Sequence, residues 1–262
     1  MKAALCLLII TMSAALAFGQ RMLGEHKLTP AEIEYNRGLE LQGQNDLDGA
    51  IAAYTRALAL DSKLPDAYNN RGDARKNKGD LAGAVADFSE VIRQRPDEFE
   101  GYFNRGIAYL MLEKWAPALS DLTRSVEFRP QDPGTYFNRG SAYHGLGQEK
   151  EAIADFTKTV ELYPAGDAFR YPVSMAVYNR GIVHQATGNT ALAIADYTRV
   201  IELTPNFARG YSNRAVLLLQ SWKDQEGMRD FATAFKLDPS LHAEFDEFIR
   251  TTLVNHKATK KR

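Results

Sequence analysis

Six asparagines recur through this 262-residue sequence: Asn36, Asn70, Asn104, Asn138, Asn179 and Asn213. The step is 34 residues, except between Asn138 and Asn179, where it is 41. Each amide offers two N–H donors and a carbonyl acceptor. A row of such groups at repeat spacing can pair with the N–H and C=O groups of an extended peptide, whatever its side chains. It can equally bond neighbouring helices and specify how they stack. Asparagine is a mediocre helix former, so its recurrence inside helices calls for local partners of one kind or the other.

Every one of these asparagines is followed by arginine: Arg37, Arg71, Arg105, Arg139, Arg180 and Arg214. Seventeen positions after the Asn stand Ala53, Asp87, Asp121, Asp155, Asp196 and Asp230. A half-buried guanidinium needs a paired charge. Arg–Asp ion pairs are therefore expected between two helices, within one repeat or with the preceding one. Arg37 tests this, because its own repeat carries Ala53. The aspartates would neutralise any anion site built from the arginines.

These groups are placed by a longer pattern. Two residues before the Asn stand Glu34, Tyr68, Tyr102, Tyr136, Val177 and Tyr211, and two after it Gly38, Gly72, Gly106, Gly140, Gly181 and Ala215. Further on come Ala50, Ala84, Ala118, Ala152, Ala193 and Gly227, then Tyr54, Phe88, Leu122, Phe156, Tyr197 and Phe231. Proline closes most units, at Pro96, Pro130, Pro164, Pro205 and Pro239. The Gly slot is expected to face the Ala slot so that two helix backbones approach closely. Ala215 and Gly227 swap the pair while keeping its volume.

The pattern resembles the tetratricopeptide repeat, a helix–turn–helix unit of 34 residues. One departure is the arginine before the glycine, where the family often has a large apolar residue. The resemblance implies an all-α, right-handed superhelical solenoid of six repeats over residues 31–239, starting near 31, 65, 99, 133, 174 and 208. Thr29-Pro30-Ala31-Glu32 predicts the first helix start, with a capping box. Residues 164–172 read as an inserted loop that extends into the next helix by a turn or two; its Phe169 and Tyr171 are expected to fold back over the widened joint, the alternative being contact with a partner. Ser240 can cap a final helix over 240–254, with Leu241, Phe245, Phe248, Ile249 and Leu253 on one face. A solenoid's last apolar face needs such a cover. Residues 255–262 read as a basic tail.

In this family the first helix of each unit lines the concave surface, so the resemblance implies that the asparagine row runs along a groove. The same row looks like the asparagine ladder of O-GlcNAc transferase. Other slots expected there are Asp66, Asp73, Glu100, Ile107, Met111, Met175, Ile182 and Arg209. Co-chaperone members grip a C-terminal carboxylate with Lys or Arg in such groove slots beside the Asn. Four before the Asn, this chain has Glu32, Asp66 and Glu100, which argues against that clamp. The expected ligand is a peptide, basic or neutral over repeats 1–3 and apolar further on.

Net charge is −1, which argues against a nucleic-acid partner. The five histidines show no metal-ligand spacing, and there is no phosphate loop or nucleophile elbow. No cofactor, metal or small-molecule substrate is expected, and the protein reads as non-catalytic. Residues 1–19 read as a signal peptide: Lys2, an apolar run from Ala3 to Phe18, then small residues. Cleavage after Gly19 leaves Gln20 first, ahead of a loose segment over 20–30; Ala17 is the other candidate, and a retained membrane anchor the competing reading. The single cysteine, Cys6, falls inside this segment. Export is expected, to a bacterial periplasm or as a secreted chain. The function expected is a scaffold that binds a peptide or protein segment in the groove; the alternative is an assembly module using the solenoid ends or convex face.

Overall fold

The computed structural model describes residues 27–164 and 166–260. The signal-peptide segment with Cys6, most of the loose segment, Ala165 of the insertion and the last two residues lie outside the described residues. Among those described there are thirteen α-helices and no strand. The chain divides into two compact units, up to Gly79 and from Asp80.

The first unit holds α1 (Pro30–Gly43), α2 (Leu47–Leu60) and α3 (Pro65–Asn77). The capping box forms as expected. The Thr29 hydroxyl accepts from the Glu32 N–H at 3.2 Å, and the Glu32 carboxylate accepts from the Thr29 N–H at 2.7 Å. Asp46 caps α2 by accepting from the Gly49 N–H at 2.9 Å. Tyr54, fully buried, fills the space beside Gly38: a Cβ on that glycine would lie 2.4 Å from the ring.

The second unit holds α4 (Leu81–Gln94), α5 (Phe99–Met111), α6 (Trp115–Phe128), α7 (Pro133–Gly145), α8 (Glu149–Leu162), α9 (Arg170–Ala186), α10 (Thr190–Leu203), α11 (Ala208–Gln220), α12 (Asp224–Leu237) and α13 (Leu241–Lys260). Each helix packs on the next in chain order, and α5, α7 and α9 also touch in succession. This is the packing of helix–turn–helix repeats, whose members contact only their neighbours.

The Gly and Ala slots correct the expectation in part. In the sixth repeat they do meet, with a Cβ on Gly227 lying 3.0 Å from the Ala215 carbonyl. Elsewhere the glycine faces the large residue one turn further along the second helix: Leu122 at Gly106, Phe156 at Gly140 and Tyr197 at Gly181. The glycine makes room for that side chain rather than for a backbone.

The ninth residue after each Asn is left-handed: Asn45, Gly79, Glu113, Gly147, Gly188 and Trp222 have φ between 56° and 86°. It turns the chain from first helix to second. Three residues before each Asn, the slot is small and buried in repeats 2–6, at Ala67, Gly101, Thr135, Ala176 and Gly210. In repeat 1 it holds Ile33, which is 54% exposed.

The insertion extends into the next helix, as expected, and one of its two aromatics departs from expectation. Its last residues are already helical, so α9 starts at Arg170 after a short 3₁₀ turn over Asp167–Phe169. Phe169 folds back on Tyr163, with ring centroids 5.5 Å apart, but Tyr171 stays 64% exposed.

The last helix continues past 254. His256, expected in a tail, is buried: it stacks on Trp222 at 3.8 Å, and its Nδ1 lies 2.6 Å from Asp224. These contacts hold the final turns of α13 on the unit. Upstream, Phe245, Phe248, Ile249 and Leu253 pack on Ala215, Leu219 and Phe231, as the helical spacing predicted.

Candidate functional site

The arginines are occupied by the scaffold. Arg105 makes a two-pronged pair with Asp121, at 2.7 and 2.9 Å, across to the second helix of its own repeat. Its remaining nitrogen donates to Ser89 on the preceding second helix at 3.0 Å. Arg180 repeats this with Asp196 and Thr157, and Arg214 with Asp230 and Thr198. Arg139 pairs with Asp155 at 2.7 and 2.8 Å, and Arg71 donates to Thr55 at 3.1 Å. Asp121, Asp155, Asp196 and Asp230 are buried, as is Asp87. Of the two placements left open, the own-repeat pair forms at Arg105, Arg139, Arg180 and Arg214, and at three of them, Arg105, Arg180 and Arg214, a hydroxyl supplies the link backwards. Where Ala53 replaces the aspartate, Arg37 is exposed. The hydrogen bond to the aspartate, outweighing desolvation, holds Arg105, Arg139 and Arg214 above the usual guanidinium value. The paired arginines are staples of the scaffold rather than ligand sites.

The asparagines do not behave alike. Asn70 donates to the Tyr35 hydroxyl at 3.0 Å, and Asn213 to the Tyr178 hydroxyl at 3.1 Å. Both tyrosines stand immediately before the Asn of the previous repeat. The same two repeats carry a second bond, from Tyr54 to Gln42 and from Tyr197 to Gln185, each 2.8 Å. Burial pushes the Tyr54 phenol up to about 12 and also raises Tyr178 and Tyr197. Before Asn104 and Asn138 the neighbour is Phe103 or Phe137, which has no hydroxyl to offer the next repeat. Asn138 donates instead to Gly134 of its own helix at 2.9 Å. Asn179 has no side-chain hydrogen bond among the described residues and lines a cavity. Asn36 is exposed and Asn104 half-buried.

That cavity, of about 420 Å³, is walled by Trp115, Ser141, His144, Gly145, Phe156, Asn179 and Ile182. Ile182 was expected on this face; Trp115 and His144 were not. The available signal was an unusual pairing, Trp at the start of a second helix and Gly at the end of the next first helix.

The other expected positions are dispersed. Asp73 pairs with Lys76 at 2.6 Å, Glu100 pairs with Arg129, and Arg209 pairs with Glu244 of α13 at 2.7 Å. The cap helix thus satisfies the one cation expected to be open to a ligand. Asp66 is exposed, Met111 is 53% exposed, and Ile107 and Met175 are half-buried. His184 sits in a core slot, where burial lowers its proton affinity and leaves Nδ1 without a partner. Among the described residues no cluster of His, Cys, Asp and Glu could hold a metal, and no helix is long and apolar enough to cross a membrane.

A family model described as TPR repeat matches residues 38–79 and 72–113, and one described as tetratricopeptide repeat matches 133–165 and 176–207. The chain belongs to the tetratricopeptide repeat family. Among solved structures, this tetratricopeptide repeat protein is similar to MamA (41-end) from Desulfovibrio magneticus RS-1, at 23% identity and a TM-score of 0.62 over 68% of this chain and 96% of that one. It is similar to YrrB, described as a TPR protein with an unusual peptide-binding site, at 18% identity and a TM-score of 0.58 over 73% and 97%. A third is the Cut9–Hcn1 structure, at 15% identity and a TM-score of 0.67 over 91% of this chain and 45% of that one. At these identities the likeness is one of fold. No curated protein matches by sequence. The fold is that of a protein–protein interaction scaffold, and its family is generally non-catalytic.

Proposed function

We propose that this protein is an exported, non-catalytic scaffold that binds an extended peptide segment along its first helices, through Asn138 and Asn179. The carrying observation is the split among the asparagines. Asn70 and Asn213 are tied to tyrosines of the preceding repeat, whereas the Asn179 amide lines an open cavity. The Asn179 amide, set beside apolar walls with no side-chain hydrogen bond among the described residues, suits the main chain of a peptide, and Asn138 keeps its acceptor and one N–H beyond its bond to Gly134. Similarity to YrrB, with its peptide-binding site, supports the reading at the level of fold. Export is supported by the signal-like run ahead of Gly19 and by a chain without cysteine beyond it. Asn70 and Asn213 belong to the stack, and the acidic groups at Asp73 and Glu100, already paired, tune affinity only weakly.

The test is selection from a displayed random-peptide library, followed by binding to two double variants. Asn138→Ala/Asn179→Ala should lose the selected peptides while keeping its helix content. Asn70→Ala/Asn213→Ala should bind them and melt earlier. Equal binding by both variants would move the function to the second helices or the ends, as an assembly module requires.

A further inference from the structure

We propose that the cavity beside Asn179 is a specificity subsite for one large apolar side chain, aromatic or long aliphatic, of the bound peptide. This rests on the groove reading above and adds a sequence preference to it.

The chemistry follows from the walls. Trp115 opens α6 and lies over the end of α7, against Gly145. A Cβ on Gly145 would sit 2.3 Å from the indole. The glycine is what lets the ring cover the end of that helix. Phe156, 1% exposed, forms part of the lining from the core, and Ile182, half-buried, stands one turn beyond Asn179 on α9. The polar groups are few and oriented. The Ser141 hydroxyl donates to the Phe137 carbonyl at 3.0 Å, which leaves its lone pairs. His144 turns Nδ1 to Glu149 at 2.8 Å, which leaves Nε2. No Lys, Arg, Asp or Glu lines the cavity, and the carboxylate nearest the lining, Glu149, is already taken up by His144, so a charged side chain would be desolvated there without a free counter-charge. Its volume of about 420 Å³ falls in the range of small-ligand sites, and most of the lining is apolar or aromatic. Asn179, three residues before Ile182, is placed to bond the peptide group that carries the inserted side chain.

The site is particular to one joint. The residue that opens the second helix and the residue seven after the next Asn are Leu47 and Asn77, Leu81 and Met111, Trp115 and Gly145, Glu149 and Ala186, and Thr190 and Gln220. Only the third joint combines a broad ring with the absent side chain that seats it. The repeat after it, containing Asn179, follows a phenylalanine, so the amide stays open where the ring is.

The test uses the full chain carrying Trp222→Phe, which makes Trp115 the sole tryptophan. The probes are blocked nine-residue peptides of Ser and Ala with Phe, Leu, Lys, Asp or Gly at the centre. The Phe and Leu peptides should bind about tenfold tighter than the Gly peptide and shift Trp115 emission. Lys and Asp should gain nothing over Gly. Gly145→Ala, which displaces the indole, and Ile182→Ser, on the groove surface, should each erase the preference. Equal binding of all five peptides, lost with Asn179→Ala, would overturn the subsite and leave the groove standing. A preference that survives in both Gly145→Ala and Ile182→Ser would overturn the assignment to this cavity. Binding of none of the peptides would overturn the subsite and the groove together.

Discussion

Removing the carboxylate from one staple gives the sharpest stability prediction. In Asp121→Ala the Arg105 guanidinium loses both charge-assisted bonds to a side chain only 7% exposed. Breaking one partner of a buried pair costs about 3–5 kcal/mol. The Arg105 side chain is 21% exposed, so water recovers part of this, and about 2–4 kcal/mol is expected. Arg105→Met should cost as much or more, because it strands the more deeply buried carboxylate. Arg105→Met/Asp121→Ala removes both charges and should cost less than either single change, since apolar replacement of a buried pair is often neutral. Urea unfolding followed by far-ultraviolet circular dichroism reads all four corners, with a midpoint shift of roughly 1 M for Asp121→Ala. If the two single changes add to within about 0.5 kcal/mol of the double, the pair is uncoupled and the staple account is wrong.

Two further outcomes follow from turns and tyrosines. Glu113 holds a left-handed φ of 56° that disfavours a side chain, so Glu113→Gly should stabilise the protein by up to about 1 kcal/mol in thermal unfolding; a fall in melting temperature would count against the turn account. Burial raises Tyr54 from its ordinary 10 to about 12, so the folded state holds this proton more tightly than the unfolded one. Its contribution is complete below pH 10 and is lost as pH rises through about 12. Tyr197 shifts the same way, so alkaline destabilisation should shrink in Tyr54→Phe and again in Tyr54→Phe/Tyr197→Phe. An alkaline limb unchanged in the double variant would refute it.

Much of the fold was legible because each slot is written six times. The regular return of Asn-Arg-Gly, with an aspartate sixteen residues after most arginines, encodes helix pairs and their ion pairs directly. The hydroxyls at Thr55, Ser89, Thr157 and Thr198 recur just as regularly, but a backward link between repeats needs geometry to be seen. The asparagines look uniform when only the repeated residue is considered. Their fates depend on the residue before the previous Asn: a tyrosine at 35 or 178 ties the next amide, and a phenylalanine cannot. His256 was read by charge as part of a tail. Its burial depends on Trp222 and Asp224, more than thirty residues earlier, at the preceding turn. Trp115 carries little signal in the sequence, because a single departure in one slot gains meaning only from the cavity beside it.

The staples also bear on how such an array changes in length over evolution. Arg105, Arg180 and Arg214 each draw their aspartate from their own repeat and their hydroxyl from the repeat before. A tandem duplication of an interior unit therefore carries acceptor and donor together, and neither new junction is left with a stranded charge. The last junction is written differently. Ala232 stands where the hydroxyl would be, Phe248 where the arginine would be, and Ile249 where the glycine would be. A unit added after α12 would set its arginine against Ala232. Gain of repeats by duplication is thus unobstructed in the middle of the gene and obstructed at this end.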